Sequence, residues 1–247
     1  MLEVRGFTKA YGERVAVREL AFSVGAGEIV GLVGPNGAGK TTTLRSLAGI
    51  LRPSAGSLRV GGFDVVREPI EAKRRLALVP DDPPLFASLT VWEHLVLTAQ
   101  LYDLAGWEER AGALLAELEL AARRDDLADE LSRGMRQKLG VACALLHEPA
   151  ALLLDEPLTG LDPRGMRTLF AALRRRAAAG AAVVVSSHLL AQIESLCTRF
   201  LVLREGRLLL DGSKQEIAAR LPALRGDESL EEIFFEATER APEDGAA

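Results

Sequence analysis

The segment Gly34-Pro35-Asn36-Gly37-Ala38-Gly39-Lys40-Thr41 decides the fold, because it has the pattern G-x-x-x-x-G-K-T. An apolar, strand-like run at residues 29–33 precedes it, and a helix-like run at residues 41–48 follows. In this setting the glycines let backbone N–H groups point at a phosphate, and the helix dipole faces the same anion. Lys40 is placed to reach the β- and γ-phosphates, and the Thr41 hydroxyl to join a magnesium shell. The segment therefore predicts a nucleoside triphosphate site with Mg²⁺.

Length and composition exclude several classes of protein. The 247 residues suit one large domain or two small ones, and a hydrophobic content of 48% supplies a sizeable core. The net charge of −5 predicts no nucleic-acid partner. The longest apolar region, 139–154, is interrupted by His-Glu-Pro at 147–149, so a membrane span is not expected. No signal-peptide pattern is found at the N-terminus, and the two cysteines form no C-x-x-C pair, so a reducing compartment is expected.

Strand-like runs alternate with helical patterns along the chain, at residues 2–7, 29–33, 58–60, 76–79, 151–154, 182–186, 200–203 and 207–210. The runs after the phosphate-binding segment are continuously apolar, which is typical of parallel strands covered by helices on both faces. Between residues 90 and 147 there is no strand signal. Helices are predicted there after the capping residue Thr90, at 107–120 and at 135–146. The pattern indicates an α/β core with a helical insertion.

Two adjacent carboxylates end one of the predicted buried strands, in the run Leu154-Asp155-Glu156-Pro157. A buried strand that ends in Asp155 at the carboxyl edge of a parallel sheet can present that carboxylate to magnesium beside the phosphate loop. Glu156 is then placed to orient or deprotonate a water in line with the γ-phosphate. An ordinary strand end with an exposed acidic turn is the alternative, which the neighbouring phosphate loop makes the weaker one.

A second helix start carries polar and small residues, in the run Leu131-Ser132-Arg133-Gly134-Met135. Ser132 is a good N-cap, and a glycine near a helix start exposes backbone N–H groups to an anion. From these residues alone, a plain capped helix is the better explanation.

The order of these motifs resembles the ATP-binding cassette (ABC) family. The run 131–135 resembles its signature motif, although Arg133 and Met135 stand where the family usually has Gly and Gln. Ser132 and Gly134, which the family uses against the γ-phosphate of ATP, are present. Residues 158–162, Leu-Thr-Gly-Leu-Asp, resemble the D-loop of the family.

Further residues acquire roles through this resemblance. His188, which follows the predicted strand 182–186, matches the switch histidine of the family, and Tyr11 stands where the family places an aromatic ring on the adenine. The ATP-binding set that the resemblance implies is completed by Gly34, Pro35, Asn36, Gly37, Ala38, Gly39, Lys40, Thr41 and Thr42.

Asp81 departs from the family pattern. The family usually has a Gln after the strand at this point, which contacts magnesium and faces the membrane partner. Asp81 could serve Mg²⁺ directly or through water. The run Asp81-Asp82-Pro83-Pro84 also suits a solvent-exposed turn, and both explanations stay open.

The resemblance covers about residues 1–215 and implies a P-loop NTPase core with a parallel sheet, an N-terminal antiparallel β portion and an inserted helical subdomain at about 87–147. A short helical tail, 216–247, is expected to follow and to end in a polar stretch at 242–247. Residues 228–235 resemble the C-terminal segment of ATP-binding subunits of bacterial drug, antibiotic and peptide exporters. Taken alone, that segment is an amphipathic helix.

The implied function is ATP hydrolysis, with Glu156 and His188 as catalytic residues, that drives a separate polytopic membrane subunit, and export is the favoured direction. One set of motifs implies a second ATP-binding subunit, expected to be an identical chain whose Ser132 and Gly134 complete the site. The expected location is cytoplasmic, peripheral on the inner face of the cell membrane. Docking is expected near residues 81–105, although Trp92 there is better explained as core.

Two alternatives belong to other classes of protein. A soluble ABC ATPase of translation or DNA maintenance often has two cassettes or long coiled-coil arms, and this chain shows neither. A binding module without turnover is disfavoured because Glu156 and His188 are both present.

Overall fold

A computed structural model describes residues 1–188, 190–221 and 228–239. The strands in this part of the chain are β1 (Leu2–Tyr11), β2 (Arg14–Val24), β3 (Ile29–Val33), β4 (Ala55–Val60), β5 (Phe63–Asp64), β6 (Leu76–Val79), β7 (Ala151–Asp155), β8 (Ala182–Ser187), β9 (Arg199–Arg204) and β10 (Arg207–Gly212). The α-helices are α1 (Lys40–Leu47), α2 (Pro69–Arg74), α3 (Val91–Leu101), α4 (Trp107–Glu117), α5 (Arg133–Leu146), α6 (Pro163–Ala178), α7 (Leu190–Glu194), α8 (Lys214–Ala219) and α9 (Leu230–Glu239).

The central sheet has six strands in the order β10-β9-β3-β8-β7-β6. The five strands from β9 to β6 are parallel, and β10 pairs antiparallel with β9. Every residue of β3, β7 and β8 is buried, which explains their continuous apolar sequences. The carboxyl ends of these three strands meet at one edge of the sheet, where the phosphate loop follows β3. This arrangement confirms the predicted α/β class.

A second sheet, β2-β1-β4-β5, is antiparallel and confirms the predicted N-terminal β portion. Strand β2 is absent from the sequence-based prediction. Its buried residues change from odd to even positions between Val17 and Leu20, because Glu19 has φ 47° and the pairing with β1 shifts register there. The bulge breaks the period-2 pattern by which a strand is recognised.

Helices α3, α4 and α5 occupy the chain between β6 and β7, where the sequence predicts a helical insertion. Thr90 caps α3 as predicted: its hydroxyl accepts the Glu93 N–H at 3.1 Å, and the Glu93 carboxylate accepts the Thr90 N–H at 2.7 Å. Buried side chains of these helices, such as Leu95 and Leu139, belong to the same hydrophobic core as β7. The domain bounds of 1–215 and 87–147 stay predictions.

The C-terminal helix α9 packs on α7 through Leu230 and Ile233, which are both buried. Glu194 accepts the Leu230 N–H at 3.1 Å and pairs with Lys214 at 2.6 Å. The predicted polar stretch 242–247 lies outside the described residues. No helix in the described part of the chain combines the length and apolarity that a membrane crossing needs.

The two cysteines are free, as the sequence predicts. Burial raises the pKa of the Cys197 thiol to about 12 and that of Cys143 to about 11. Both thiols therefore stay protonated and unreactive at neutral pH.

Candidate functional site

The phosphate loop joins β3 to α1, as the motif predicts. A Cβ atom on Gly34 would lie 2.4 Å from the Leu203 carbonyl oxygen, so the loop presses against β9 at a distance that only glycine allows. Gly39 has φ 102°, and a Cβ atom there would lie 2.9 Å from the Ala16 carbonyl oxygen. These contacts fix the loop between the two sheets.

Lys40 begins α1 and is buried with its ammonium group inside the loop. Its Nζ donates to the Gly34 carbonyl at 2.7 Å and to the Pro35 carbonyl at 3.3 Å, and lies 4.0 Å from a Glu156 carboxylate oxygen. Burial lowers the pKa of Lys40, and the nearby carboxylates of Glu156 and Asp155 oppose that shift. The loop thus holds a poorly solvated cation, which attracts an anion that enters it.

Asp155 ends β7 with its carboxylate buried, as predicted. Ser186 of the neighbouring strand β8 donates its hydroxyl to Asp155 Oδ1 at 2.6 Å, and the same hydroxyl oxygen accepts the Glu156 N–H at 3.0 Å. One buried hydroxyl therefore orients both carboxylate residues. Sequence reasoning missed this role of Ser186, although a serine at the end of an apolar strand is a visible signal.

Glu156 and His188 are in contact. His188 Nδ1 lies 2.8 Å from Glu156 Oε2, and the same oxygen accepts the His188 backbone N–H at 3.2 Å. Glu156 has φ 50°, a left-handed conformation that is uncommon outside glycine and is often found at functional sites. The structure therefore places the two predicted catalytic residues together, at the carboxyl ends of adjacent parallel strands.

A cleft of about 370 Å³ opens over the loop. It is lined by Tyr11, Arg14, Ala16, Asn36, Gly37, Ala38, Gly39, Lys40, Thr41, Thr42 and Glu156. The predicted adenine partner, the phosphate loop and the predicted base thus share one cleft of a size that suits a small-molecule ligand. The sequence did not predict Arg14 as a residue of this cleft, because its position there depends on strand β2, which was not predicted either.

A larger groove of about 480 Å³ lies elsewhere, between β6, α3 and α5. Its walls are mostly apolar, and none of the phosphate-loop residues 34–42 belongs to them. The smaller cleft is therefore the candidate functional site, since the convergent charged groups are there.

Ser132 and Gly134 do not line the cleft. Ser132 caps α5 by accepting the Met135 N–H at 3.3 Å, as predicted. A Cβ atom on Gly134 would lie 2.7 Å from the Gly160 carbonyl oxygen, so the signature-like run contacts the D-loop-like segment of the same chain. Within one chain, these two candidate residues thus contribute nothing to the cleft over the phosphate loop.

Asp81 also lies outside the cleft lining. Its carboxylate pairs with the Arg133 guanidinium at 3.2 Å, and both side chains are about half exposed. Across the described residues, no group of three or more His, Cys, Asp and Glu side chains is arranged to hold a metal ion. The structure therefore gives Asp81 a protein partner that the sequence did not predict.

Comparison with known proteins agrees with this geometry. The family model described as ABC transporter matches residues 17–159. The ABC-type transporter ATP-binding protein EcsA of Bacillus subtilis (strain 168) is 33% identical over 240 residues, which cover 96% of this chain and 96% of that protein. The Nod factor export ATP-binding protein I of Paraburkholderia xenovorans (strain LB400) is 38% identical over 213 residues, 85% of this chain and 70% of that protein.

A solved structure of the ATP-binding subunit of an ABC transporter has a TM-score of 0.92 and 34% identity, and the match covers 97% of this chain and all of that one. Neither the relatives named above nor this structure favours a soluble role in translation or DNA maintenance. Because the family model spans more than half of the chain and the relatives match over most of their length, this chain belongs to the ABC transporter family, as an ATP-binding subunit with ATPase activity.

Proposed function

We propose that the chain hydrolyses ATP in the cleft over the phosphate loop, with Glu156 as general base, and that turnover drives a polytopic membrane subunit of an exporter. The observation that carries the proposal is the position of Glu156. Its carboxylate lies 4.0 Å from Lys40 Nζ and 2.8 Å from His188 Nδ1, and it lines the same cleft as the phosphate loop. A carboxylate held there is placed to accept a proton from a water beside a bound γ-phosphate.

The residues beside the loop fit Mg²⁺. Asp155 supplies a buried carboxylate that uses one oxygen to accept the Ser186 hydroxyl, and Thr41 supplies an exposed hydroxyl at the start of α1. Oxygen ligands of this kind suit a hard cation that keeps water and phosphate oxygens as its other ligands. Bound there, magnesium neutralises phosphate charge. Asp81 is the third candidate ligand that the sequence offers.

His188 orients the base. With its proton on Nδ1, the ring donates to Glu156. The contact of His188 with the γ-phosphate that the resemblance implies would use Nε2, and it requires a proton on that nitrogen too, since phosphate oxygens only accept. Lys40 would leave the loop carbonyls of Gly34 and Pro35 for the phosphates, while Tyr11 would stack on the adenine at the open end of the cleft.

The site is proposed to be completed by a second, identical chain. Ser132 and Gly134 do not line the cleft of their own chain, yet Ser132 is exposed and Gly134 is half-buried at the start of α5. A second copy that packs head to tail would bring these groups and the N-terminus of its α5 to the γ-phosphate, because backbone N–H groups there suit an anion.

The membrane subunit is proposed to dock in the groove between β6, α3 and α5. Exposed apolar side chains surround it: Ile50 is 61% exposed, Phe86 58% and Leu101 74%. This groove overlaps the predicted docking region of 81–105, although Trp92 instead packs against Trp107 and Arg124. Docking there would keep the chain peripheral on the inner face of the cell membrane.

Export is supported by two observations. A relative 38% identical is named for Nod factor export, and residues 228–235 resemble a C-terminal segment of exporter subunits. Residues 230–235 of that segment lie in helix α9.

The Glu156→Gln variant tests the proposal. The amide keeps the shape but cannot act as a base, so steady-state ATPase activity should fall by about 10²- to 10⁴-fold while ATP binding persists. Static light scattering should then show a dimer with ATP and Mg²⁺ and a monomer without them. Glu108→Gln, an exposed change on α4, is the matched control and should keep wild-type turnover. Undiminished turnover in Glu156→Gln would refute the assignment of the base, and a monomer with ATP would refute the composite site.

A further inference from the structure

Arg14 lies at the tip of the hairpin formed by β1 and β2. Strand β1 ends at Tyr11 and β2 begins at Arg14, and these two residues pair directly across the sheet. A two-residue turn with Gly12 at φ 58° joins them. Directly opposed residues of an antiparallel pair point to the same face of the sheet. Both side chains accordingly line the cleft over the phosphate loop.

The hairpin is fixed against the phosphate loop. A Cβ atom on Gly39 would lie 2.9 Å from the Ala16 carbonyl oxygen and 3.0 Å from Val17 Cγ2, so β2 packs directly on the loop. Arg14 lies two residues before Ala16, roughly 7 Å along the strand. Arg14 therefore lies beside Tyr11, close to the point at which β2 contacts the phosphate loop.

Within the described ranges, the charge of Arg14 has no partner. No residue in the described ranges forms a hydrogen bond or an ion pair with its side chain, which is exposed. Lys9, the other cation close to Tyr11, is already engaged, because its Nζ donates to the Arg52 carbonyl at 2.9 Å and lies 5.0 Å from the centre of the Tyr11 ring. Among the residues that line the cleft, the cations are Arg14, which is paired with Tyr11 across the hairpin, and Lys40 within the phosphate loop.

We propose that Arg14 binds the α-phosphate of the nucleotide. The inference rests on the proposed function, in which the adenine lies on Tyr11 and Lys40 holds the β- and γ-phosphates. The ribose and the α-phosphate then lie between these two ends, and the α-phosphate is the anionic one. A guanidinium pairs with phosphate through two parallel N–H donors, whereas a neutral ribose offers it no charge.

A consequence is that Arg14 acts on binding of triphosphate and diphosphate alike. ATP and ADP share the α-phosphate, so the contact persists after the γ-phosphate leaves. Arg14 is thus a binding residue that retains the product, and it differs from His188, which the proposed mechanism directs at the γ-phosphate alone.

Nucleotide titrations with Arg14→Ala test the inference. We expect its Kd for ATP and its Kd for ADP to rise by the same factor, about tenfold, because one charge-assisted contact is lost from each complex. GTP affinity should fall by that factor too, and high salt should shrink the factor, since the site is exposed. The ATP titrations use the Glu156→Gln background, in which hydrolysis does not interfere.

Matched variants separate the sources of the effect. Arg14→Lys should recover part of the affinity and Arg14→Gln almost none, because a neutral amide cannot replace the charge. Arg18→Ala, an exposed arginine on the same strand outside the cleft lining, should match the parent protein.

Several results would overturn the inference. One is that Arg14→Ala and its parent bind nucleotide with equal affinity. Another is that Arg14→Ala loses affinity for ATP but keeps its affinity for ADP or for GTP. A third is that Arg14→Gln binds as tightly as the parent. Lys40→Ala distinguishes this failure from a failure of the proposed function. If Lys40→Ala binds ATP with normal affinity, the nucleotide site itself is wrongly assigned. If Lys40→Ala binds ATP weakly while Arg14→Ala binds it with normal affinity, only the role of Arg14 is refuted.

Discussion

At the scale of the residue, Lys40 shows how burial prepares a binding site. The loop folds so that the carbonyls of Gly34 and Pro35 accept from its ammonium group, and Glu156 lies 4.0 Å away. The pKa of Lys40 is lowered mainly because burial removes water from the charge. A phosphate that enters the loop stabilises the ammonium group in place of the missing water, and this favours the binding of an anion.

Lys40→Ala should therefore weaken ATP binding by about 10- to 100-fold, because a charge-assisted contact to the phosphates is lost. Isothermal titration in the Glu156→Gln background gives the affinity directly. Lys73→Ala, which removes the same charge from the exposed surface of α2, is the control and should bind ATP normally. Equal affinities for the two variants would contradict the phosphate-loop assignment.

His147 makes a second prediction at this scale. Its ring stacks on Tyr102, with ring centroids 3.8 Å apart, and Nε2 lies 3.3 Å from the Leu76 carbonyl oxygen. Burial lowers the pKa of His147 from its ordinary 6.5 to about 4. The unfolded chain then binds more protons than the folded one between these two pH values, so the stability due to neutral His147 is complete above pH 6.5 and is lost as the pH falls towards 4.

Denaturant unfolding of wild type and His147→Gln from pH 7 to pH 4 measures this effect. Carboxylates titrate in both proteins, so the difference between the two curves isolates the histidine. The free energy of unfolding should fall more steeply with acid in the wild type than in the variant. Parallel curves would show that the ring is accessible to protons in the folded state.

At the scale of the element, the start of α5 joins two loops. Arg133 packs its stem against Gly160, where an added Cβ would lie 3.1 Å from the arginine side chain, and its guanidinium pairs with Asp81. Two of the positions at which the chain departs from the family pattern, Asp81 and Arg133, thus contact each other. The helix start is tied to the loop after β6 and to the loop before α6.

A double-mutant cycle with Asp81→Gln and Arg133→Gln should give a coupling of about 0.2–1 kcal/mol in the free energy of unfolding at low salt. Both groups are half exposed, so the value should lie near the lower bound and decline at high salt. Zero coupling at low salt would contradict the ion pair.

The same Asp81→Gln variant tests the magnesium role. Because Arg133 already engages the carboxylate, we expect ATP affinity to depend on Mg²⁺ concentration in the same way in the variant and the wild type. A flatter dependence in the variant would instead assign Asp81 to the metal, since an amide is a weaker partner for a hard cation than a carboxylate.

At the scale of the whole molecule, the cleft and the apolar groove lie in different parts of the fold. The cleft is at the junction of the two sheets, and the groove lies beside α3 and α5. Asp81 follows Pro80, which lines the groove, and pairs with Arg133 at the start of α5. Under the proposed function, this contact connects the start of α5, proposed to meet the nucleotide of a second chain, with the groove proposed for docking.

Leu101→Glu and Phe86→Glu should abolish co-purification with the proposed polytopic membrane subunit, because each places a charge in the proposed apolar contact. Ile70→Glu is the matched control: Ile70 is 63% exposed on α2 and does not line the groove. ATP affinity of all three variants should equal that of wild type. Retained co-purification of the groove variants, or its loss in Ile70→Glu, would place the docking site elsewhere.

The sequence by itself determined the parts of this protein whose geometry is local. The phosphate loop, the carboxylates that end β7 and the cap of α5 by Ser132 each depend on contiguous residues, whose types and spacing set the backbone conformation. The parallel core followed from continuous apolar runs, since strands buried on both faces need them.

Tertiary structure alone decided the contacts between distant segments. Arg14 lines the cleft because strand β2 packs on Gly39, and the bulge in β2 breaks the alternating pattern by which a strand is recognised in sequence. Ser186 orients Asp155 because β7 and β8 are neighbours, and Asp81 meets Arg133 because two loops converge. These pairs are 25, 31 and 52 residues apart in sequence. Their meeting depends on strand order and helix packing, which are set by burial summed over the whole chain and which no short run of residues encodes.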